Sequence, residues 1–370
     1  MMLRRLSLAT TAALALGACQ QKDQTEAVPV APAASAPAGA DTGAAAPAVH
    51  TETRKFRDWL AACDNGNACV AFGPALDGGA GGWIRVAMEA GPAARPQITA
   101  GLFDRVAEAG ALGLSIDGRR FVLKDLPING PQDSLGVIRN AAPEVIAALT
   151  QARRLDLDLN QTDAVALSPK GAAAALLWID ERQGRLGTTT ALVRRGTKPA
   201  STVPAAPALP SLTPASAAAQ TNLPQPVLPA AFEARADVKQ CRSDTAFSPT
   251  FQTQITVDRL SADQELWGVP CFSGAYNFGL RYFVTGSNGA DPQALRFPTS
   301  REPADEVVNG EYDPGSRTLS GFNKGRGIGD CGIASTWVWT GRDFALQDES
   351  EMRECWGVPS DQWPTTWRSR

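Results

Sequence analysis

Lys324-Gly325-Arg326-Gly327-Ile328-Gly329-Asp330-Cys331-Gly332 is the run whose residue types come closest to a ligand site. Its glycines let backbone amides approach an anion, and Lys324 and Arg326 add positive charge. A phosphate cradle is followed by a helix, whereas Ser335 to Trp339 carries the β-branched and aromatic residues of a strand. The P-loop order of Gly, Lys and Ser/Thr is also missing, so the run is read as tight turns fixed by a disulfide at Cys331. Asp330, Asp343, Glu349 and Glu351 could supply the two carboxylates of glycosidic hydrolysis, one protonated by burial and one ionised. No spacing pairs them, and the charges of Gln347 to Glu354 read as a solvated loop. Five of the nine tryptophans fall between Trp337 and Trp367, enough for an aromatic platform. Trp337 and Trp339 share a strand face and are assigned to the core, which leaves Trp363 and Trp367, beside Pro364 and Arg368, as the expected exposed pair. The candidate binding residues are therefore Lys324, Arg326, Asp330, Trp363 and Trp367, with no catalytic residue assigned.

Other chemistries are excluded by what the chain lacks. The single histidine, His50, lies in an Ala/Pro tract that cannot fix an imidazole beside a nucleophile. Histidine-ligated metal sites fall with it, and no cysteine spacing is the two-residue gap of a zinc motif. No metal or other cofactor is expected, and Ser-x-x-Lys chemistry is not marked either. The 35 basic residues are scattered among 38 acidic ones, for a formal charge of −3. Without a basic face, nucleic acid is not an expected partner.

The cysteines carry more information. Leu16-Gly17-Ala18-Cys19 closes an apolar run that begins behind Arg4 and Arg5, the pattern of a bacterial lipoprotein signal spanning residues 1–18. Cys19 would become the lipidated first residue, and acyl chains there give a lasting anchor in the membrane. Leu6 to Leu16 is too short for a transmembrane span. Gln20, rather than Asp, fits a Gram-negative lipoprotein sent to the outer membrane and facing the periplasm. Six cysteines remain, Cys63, Cys69, Cys241, Cys271, Cys331 and Cys355, and an even set in an exported chain implies three disulfides. About fifteen pairings are possible. Cys63 and Cys69 most simply close their own loop, and Cys241 with Cys271 and Cys331 with Cys355 are the expected remainder.

These residues need elements to position them. The Ala/Pro-rich stretch 19–53 cannot bury a core and is read as a tether reaching about 30 Å as a coil. A second Pro-rich tract, 197–230, reads as a linker between blocks 54–196 and 231–370. In the first block Trp83 to Met88, Leu112 to Ile116, Phe121 to Leu123 and Leu155 to Leu159 predict strands. One helix is expected from Pro143, and a second over Ala172 to Ile179 with Ser168 as cap, Pro169 in the first turn and Gly184 at the end. In the second block Phe251 to Val257, Gly279 to Thr285, Thr318 to Phe322, Thr336 to Trp339 and Phe344 to Gln347 predict short strands, and the short turns favour antiparallel pairing. The fold class is α+β: a β-rich N-terminal domain with two packed helices and a mainly antiparallel β C-terminal domain, both stapled by disulfides.

Several motifs carry a resemblance to a known family. They are Phe56-Arg57-Asp58-Trp59 with Cys63 and Cys69; Ala173 to Asp180 with Gln183-Gly184-Arg185; Leu266-Trp267, Val269-Pro270-Cys271 and Gly274-Ala275-Tyr276-Asn277; and Lys324 to Gly332 with Cys355 and Trp363 to Trp367. Together they resemble the bacterial domain-of-unknown-function family numbered 1176, whose members are exported and carry six characteristic cysteines. The first block more faintly resembles the invasion-associated locus B family through its early Trp and cysteines, which favours a β-rich fold with helices packed on it. Neither resemblance implies a catalytic signature.

The expected function is a non-enzymatic envelope lipoprotein that binds peptidoglycan or an envelope protein. The alternative is a carboxylate-dependent hydrolase of cell-wall glycan with Asp330 as the acid. A passive spacer is the third reading.

Overall fold

Short runs rich in β-branched and small apolar residues make most of the first block extended in the computed structural model, which describes residues 50–76, 78, 81–103, 112–126 and 134–370. The expected leader, Cys19 and the expected tether up to residue 49 lie outside the described residues. Strands β1 (Glu52–Phe56), β2 (Trp59–Cys63), β3 (Cys69–Pro74), β4 (Gly82–Met88) and β5 (Gln97–Leu102) form a meander. The strands β6 (Leu112–Ile116), β7 (Arg119–Val122), β8 (Lys124–Asp125) and β9 (Ser134–Ile138) follow, then helix α1 (Pro143–Gln151), β10 (Leu155–Leu159), β11 (Thr162–Leu167) and helix α2 (Ala172–Arg182). They make two antiparallel sheets of order β1-β2-β3-β4-β5-β9-β8 and β11-β10-β6-β7. Both helices and the second sheet bury their apolar faces on the first sheet, with Trp59, Ile84, Val86, Leu149, Leu157 and Leu176 inside.

The start of α2 differs from the expectation. Ser168 does not cap it; Gly171 stands at the cap with φ of 112°, and an added Cβ there would meet the Phe56 carbonyl oxygen at 1.8 Å. Ser168 instead donates to Asp58 (2.5 Å), and Trp59 donates through Nε1 to the Ser168 carbonyl (2.8 Å). The Phe56-to-Trp59 motif thus clamps the loop entering α2. Gly184 takes the left-handed position after that helix, with φ of 68°.

The second block opens with three helices for which the sequence carried no expectation, except that the last overlaps the strand expected from Phe251: α3 (Ala230–Glu233), α4 (Ala236–Asp244) and α5 (Pro249–Gln252). Only Val238 and Cys241 of α4 are buried, so no apolar stripe marks it. At α5 the fixed φ of Pro249 suits a first helical turn, so Phe251 is helical and the strand starts only at Thr256.

Strands β12 (Thr256–Arg259), β13 (Glu265–Ser273), β14 (Phe278–Thr285), β15 (Gln293–Ala294) and β16 (Val307–Val308) make a third sheet. A fourth has the order β17 (Glu311–Asp313), β18 (Thr318–Lys324), β19 (Gly332–Trp339), β20 (Phe344–Met352), β21 (Thr365–Arg368). The charged segment expected as a solvated loop is therefore the second half of β20. Its alternation is masked because Glu349, 4 % exposed, takes hydrogen bonds from Thr366 Oγ1 and the Ser300 N–H, while Glu351 pairs with Arg301 and Arg353. Trp337 and Trp339 are buried between the third and fourth sheets with Phe297, Phe344 and Leu319.

The two blocks meet in a shared core. All five residues of β2 are buried: Trp59, Ala61 and Cys63 face α2, while Leu60 and Ala62 face Met352, Trp356, Val358 and Trp363. Trp83 Nε1 donates to Gly357 O (3.2 Å), Asn65 exchanges two hydrogen bonds with the Arg368 backbone (2.9 Å each), and Arg368 pairs with Asp64 (2.6 Å). The Pro-rich tract is tied to this body: Leu212 N–H donates to Arg370 O, Ala215 N–H to Trp339 O, and Gln220 is bonded both ways to the Arg259 backbone.

Three disulfides join Cys63 to Cys69, Cys241 to Cys271, and Cys331 to Cys355. The first spans neighbouring strands β2 and β3, the second ties α4 to β13, and the third ties the glycine-rich loop to the segment after β20.

Candidate functional site

The glycine-rich run is the turn between β18 and β19, and a second turn, Ser273 to Asn277 between β13 and β14, lies against it. Asparagines wire the two together. Asn277 Nδ2 donates to Asn323 Oδ1 (3.1 Å) and Lys324 O (2.9 Å), and its Oδ1 accepts from the Lys324 N–H (3.1 Å). Asn309 Nδ2 donates to Asn277 Oδ1 (3.0 Å) and Phe322 O (2.7 Å), while its own Oδ1 accepts the Phe278 N–H (3.0 Å). The Tyr276 hydroxyl reaches Gly325 O at 3.3 Å. Amide side chains carry donors and acceptors at once, so a few of them can satisfy two turns that lack ladder partners.

Gly325 and Gly332 close the loop. Gly325 N–H donates to Cys331 O (2.7 Å), and Gly332 has φ of 139°, where a Cβ would meet Asn323 O at 2.0 Å. Beyond it the Cys331–Cys355 bond and the Arg326–Asp330 pair fix the far side. Asp330 is 4 % exposed, takes both guanidinium branches of Arg326 (2.6 and 2.5 Å) and accepts the Gly357 N–H (2.7 Å). Burial would raise its carboxyl, but the Arg326 contacts and the Gly357 N–H outweigh this and hold it below the ordinary carboxylate range. Asp330 is thus an ionised strut, the opposite of a protonated acid. It also lies with the Cys331 and Cys355 sulfurs within 4.8 Å, but those sulfurs are bonded to each other and the carboxylate is taken by Arg326, so the three offer no ligand set for an ion.

The expected binding residues therefore separate. Arg326 and Asp330 hold the loop, and Arg326 also donates to Cys355 O (3.2 Å). Lys324 leans over the Phe322 ring with its Nζ 5.8 Å from the centroid. The expectation of an exposed Trp363 is overturned: it is 3 % exposed, packs on Phe322 (5.4 Å between centroids) and donates to Val358 O (2.8 Å). Its place in the core between the blocks accounts for this, since β2 needs an apolar cover on its second face. Trp367 is half-buried and donates to Leu346 O (3.1 Å).

What the turns present to solvent is a different set. Around the hairpin tip Phe272 (45 %), Tyr276 (38 %) and Phe278 (42 %) are exposed, and the glycine loop adds Ile328 (59 %). Gly327 lies against Tyr276, so the two turns abut where these residues emerge. None of the main cavities among the described residues is lined by these four side chains. Tyr276 and Asn277 stood out in the sequence only through the motif Gly274 to Asn277; Phe272, Phe278 and Asn309 carried no signal, because pairing of two distant turns leaves no periodicity.

Both turns fall within the span covered by the comparisons with known proteins. Residues 53–370 match the family described as "Protein of unknown function (DUF1176)". The chain belongs to this family. The DUF1176 chain is also similar to the uncharacterized protein YpfG of Escherichia coli (strain K12), with 29 % identity over 348 residues, covering 86 % of this chain and 93 % of that protein. No solved structure matches it. The family match spans both blocks, in keeping with the core they share.

Proposed function

We propose that this DUF1176 protein is a non-enzymatic lipoprotein of the Gram-negative envelope, anchored through Cys19 and facing the periplasm from the outer membrane, and that it docks an envelope protein with the hairpin tip and glycine loop. The observation that carries the reading is the asparagine-wired junction from which Phe272, Tyr276, Phe278 and Ile328 emerge. Preorganised aromatic side chains are the usual anchors of protein interfaces, because they desolvate a large area with little loss of rotamer freedom. An apolar tip that lines none of the main cavities among the described residues suits a protein better than a glycan strand, which needs a groove. Three disulfides agree with an oxidising compartment, and the leader pattern supplies the anchor. The fainter likeness of the first block to the invasion-associated locus B family rests on Trp59, Cys63 and Cys69 alone.

The hydrolase reading would require a protonated carboxyl at a solvent-facing cleft. Asp330 is buried against Arg326, and Glu349 is bonded to Thr366 and Ser300, so no specific observation favours it.

The test is capture from detergent-solubilised envelope by the full-length protein, beside sedimentation with purified peptidoglycan. A discrete protein retained by the wild type and reduced at least tenfold by Tyr276→Ser with Phe278→Ser supports the reading. Equal recovery by both proteins, or retention on peptidoglycan alone, overturns it.

A further inference from the structure

Another motif, Ala173 to Asp180 with Gln183-Gly184-Arg185, builds a separate feature. Asp180 is fully buried near the end of α2, and its carboxylate accepts the N–H groups of Leu192 (2.6 Å), Val193 (2.8 Å) and Arg194 (3.4 Å). Arg185, also fully buried, donates to Gln183 Oε1 (2.6 Å), Thr190 Oγ1 (3.2 Å) and the carbonyls of Glu89 (2.9 Å) and Gly91 (2.7 Å). Removing two charges from water is costly, and apolar residues would hold a core as well. Their yield here is geometric: an irregular loop, residues 186–196, is held with its backbone in one place.

That loop forms one wall of a cavity of about 710 Å³. Thr189, Thr190, Leu192 and Arg195 come from the loop, and Pro143 and Ile146 of α1 and the Arg95-Pro96 turn face them. The walls are mostly apolar, and no acidic residue lines the cavity among the described residues. Among the described residues Arg95 donates only to the carbonyls of Ala93 (3.3 Å) and Ala94 (3.0 Å), and Arg195 only to that of Thr189. Neither guanidinium has a carboxylate partner among the described residues, although each has further N–H donors to offer. An apolar hollow with two unneutralised guanidiniums and threonine hydroxyls is the arrangement that recognises a charged head on an apolar body.

We propose that this cavity binds a small amphiphilic organic anion, its carboxylate or phosphate head on Arg95 and Arg195 and its apolar portion against Ile146 and Leu192. Carboxylate and phosphate heads share this chemistry, and the experiment separates them. The full-length protein in lipid nanodiscs is dialysed to equilibrium against octanoate, octyl phosphate, octanol or acetate, with empty discs subtracted. Saturable binding of octanoate or octyl phosphate at least tenfold tighter than octanol and acetate is expected, the tighter of the two naming the head. Arg95→Gln with Arg195→Gln should weaken the anions at least tenfold and leave octanol unchanged, and Arg95→Lys with Arg195→Lys should restore part of the loss. Both side chains are exposed, so the fold should tolerate these changes. Octanol binding as tightly as the anions, or anion binding unchanged in the glutamine variant, would overturn the proposal.

Discussion

Asn277→Ala tests whether the two turns are held by amide wiring. The side chain makes four hydrogen bonds: donation to Asn323 Oδ1 and Lys324 O, and acceptance from Asn309 Nδ2 and the Lys324 N–H, at 2.9 to 3.1 Å. A net ~0.5–1.5 kcal/mol applies to each neutral bond, and the partly buried Lys324 backbone groups lose their partner outright. Because Asn277 is half-buried, water recovers part of this, which leaves a loss of about 2–3 kcal/mol. For a unit of this size that is a fall in Tm of about 5 °C, read by thermal denaturation. Amide exchange at Lys324 should accelerate in parallel, since its N–H is released. Asn277→Asp keeps both acceptors but sets a carboxylate against Asn323 Oδ1 and Lys324 O, so it should destabilise at least as much at pH 7. A Tm for Asn277→Ala within about 1 °C of wild type, with unchanged exchange at Lys324, would refute the wiring argument.

Three further outcomes are expected. Gly171→Ala should cost more than about 3 kcal/mol and abolish soluble expression, because its φ is 112° and the new Cβ would lie 1.8 Å from the Phe56 carbonyl oxygen; normal yield and Tm would contradict this. Burial lifts the Asp258 carboxyl from an ordinary 3.8 to about 6, so the native state holds its proton more tightly than the unfolded chain and the wild type gains stability as pH falls through 6. Asp258→Asn should accordingly melt above wild type at pH 7.5 and lose that advantage toward pH 4; a constant difference across the range would rule the cause out. Labelled palmitate fed to cells should enter the wild-type protein but not Cys19→Ser, and equal labelling would remove the anchor from the account.

Much of the architecture was legible because it follows local rules. Alternation in Leu155-Asp156-Leu157-Asp158-Leu159, the proline opening α1 and the left-handed Gly184 each act within a few residues, and each stands where those rules put it. Helix α4 was illegible because Val238 and Cys241 alone face the core, and only the second half of β20 was hidden, because its buried Glu349 is satisfied by groups far away in the chain. Trp363 misled for a related reason. A terminal tryptophan beside proline and arginine resembles an exposed platform until β2 is known to require cover on both faces. Of the two turns, Lys324 and Arg326 announced themselves by charge but hold the loop rather than face a ligand, whereas Asn309, Phe272 and Phe278 acquire meaning only when two distant turns touch.

The central claim is that the hairpin tip is a docking surface, and site-specific photo-crosslinking in cells tests it most directly. A photoreactive side chain placed at position 276 of the full-length protein should yield one discrete higher-mass adduct that disappears with Phe272→Ser and Phe278→Ser. The same probe at position 122, where Val122 is 60 % exposed on β7, should yield none. Equal adducts from both positions, or none from position 276, would contradict the account.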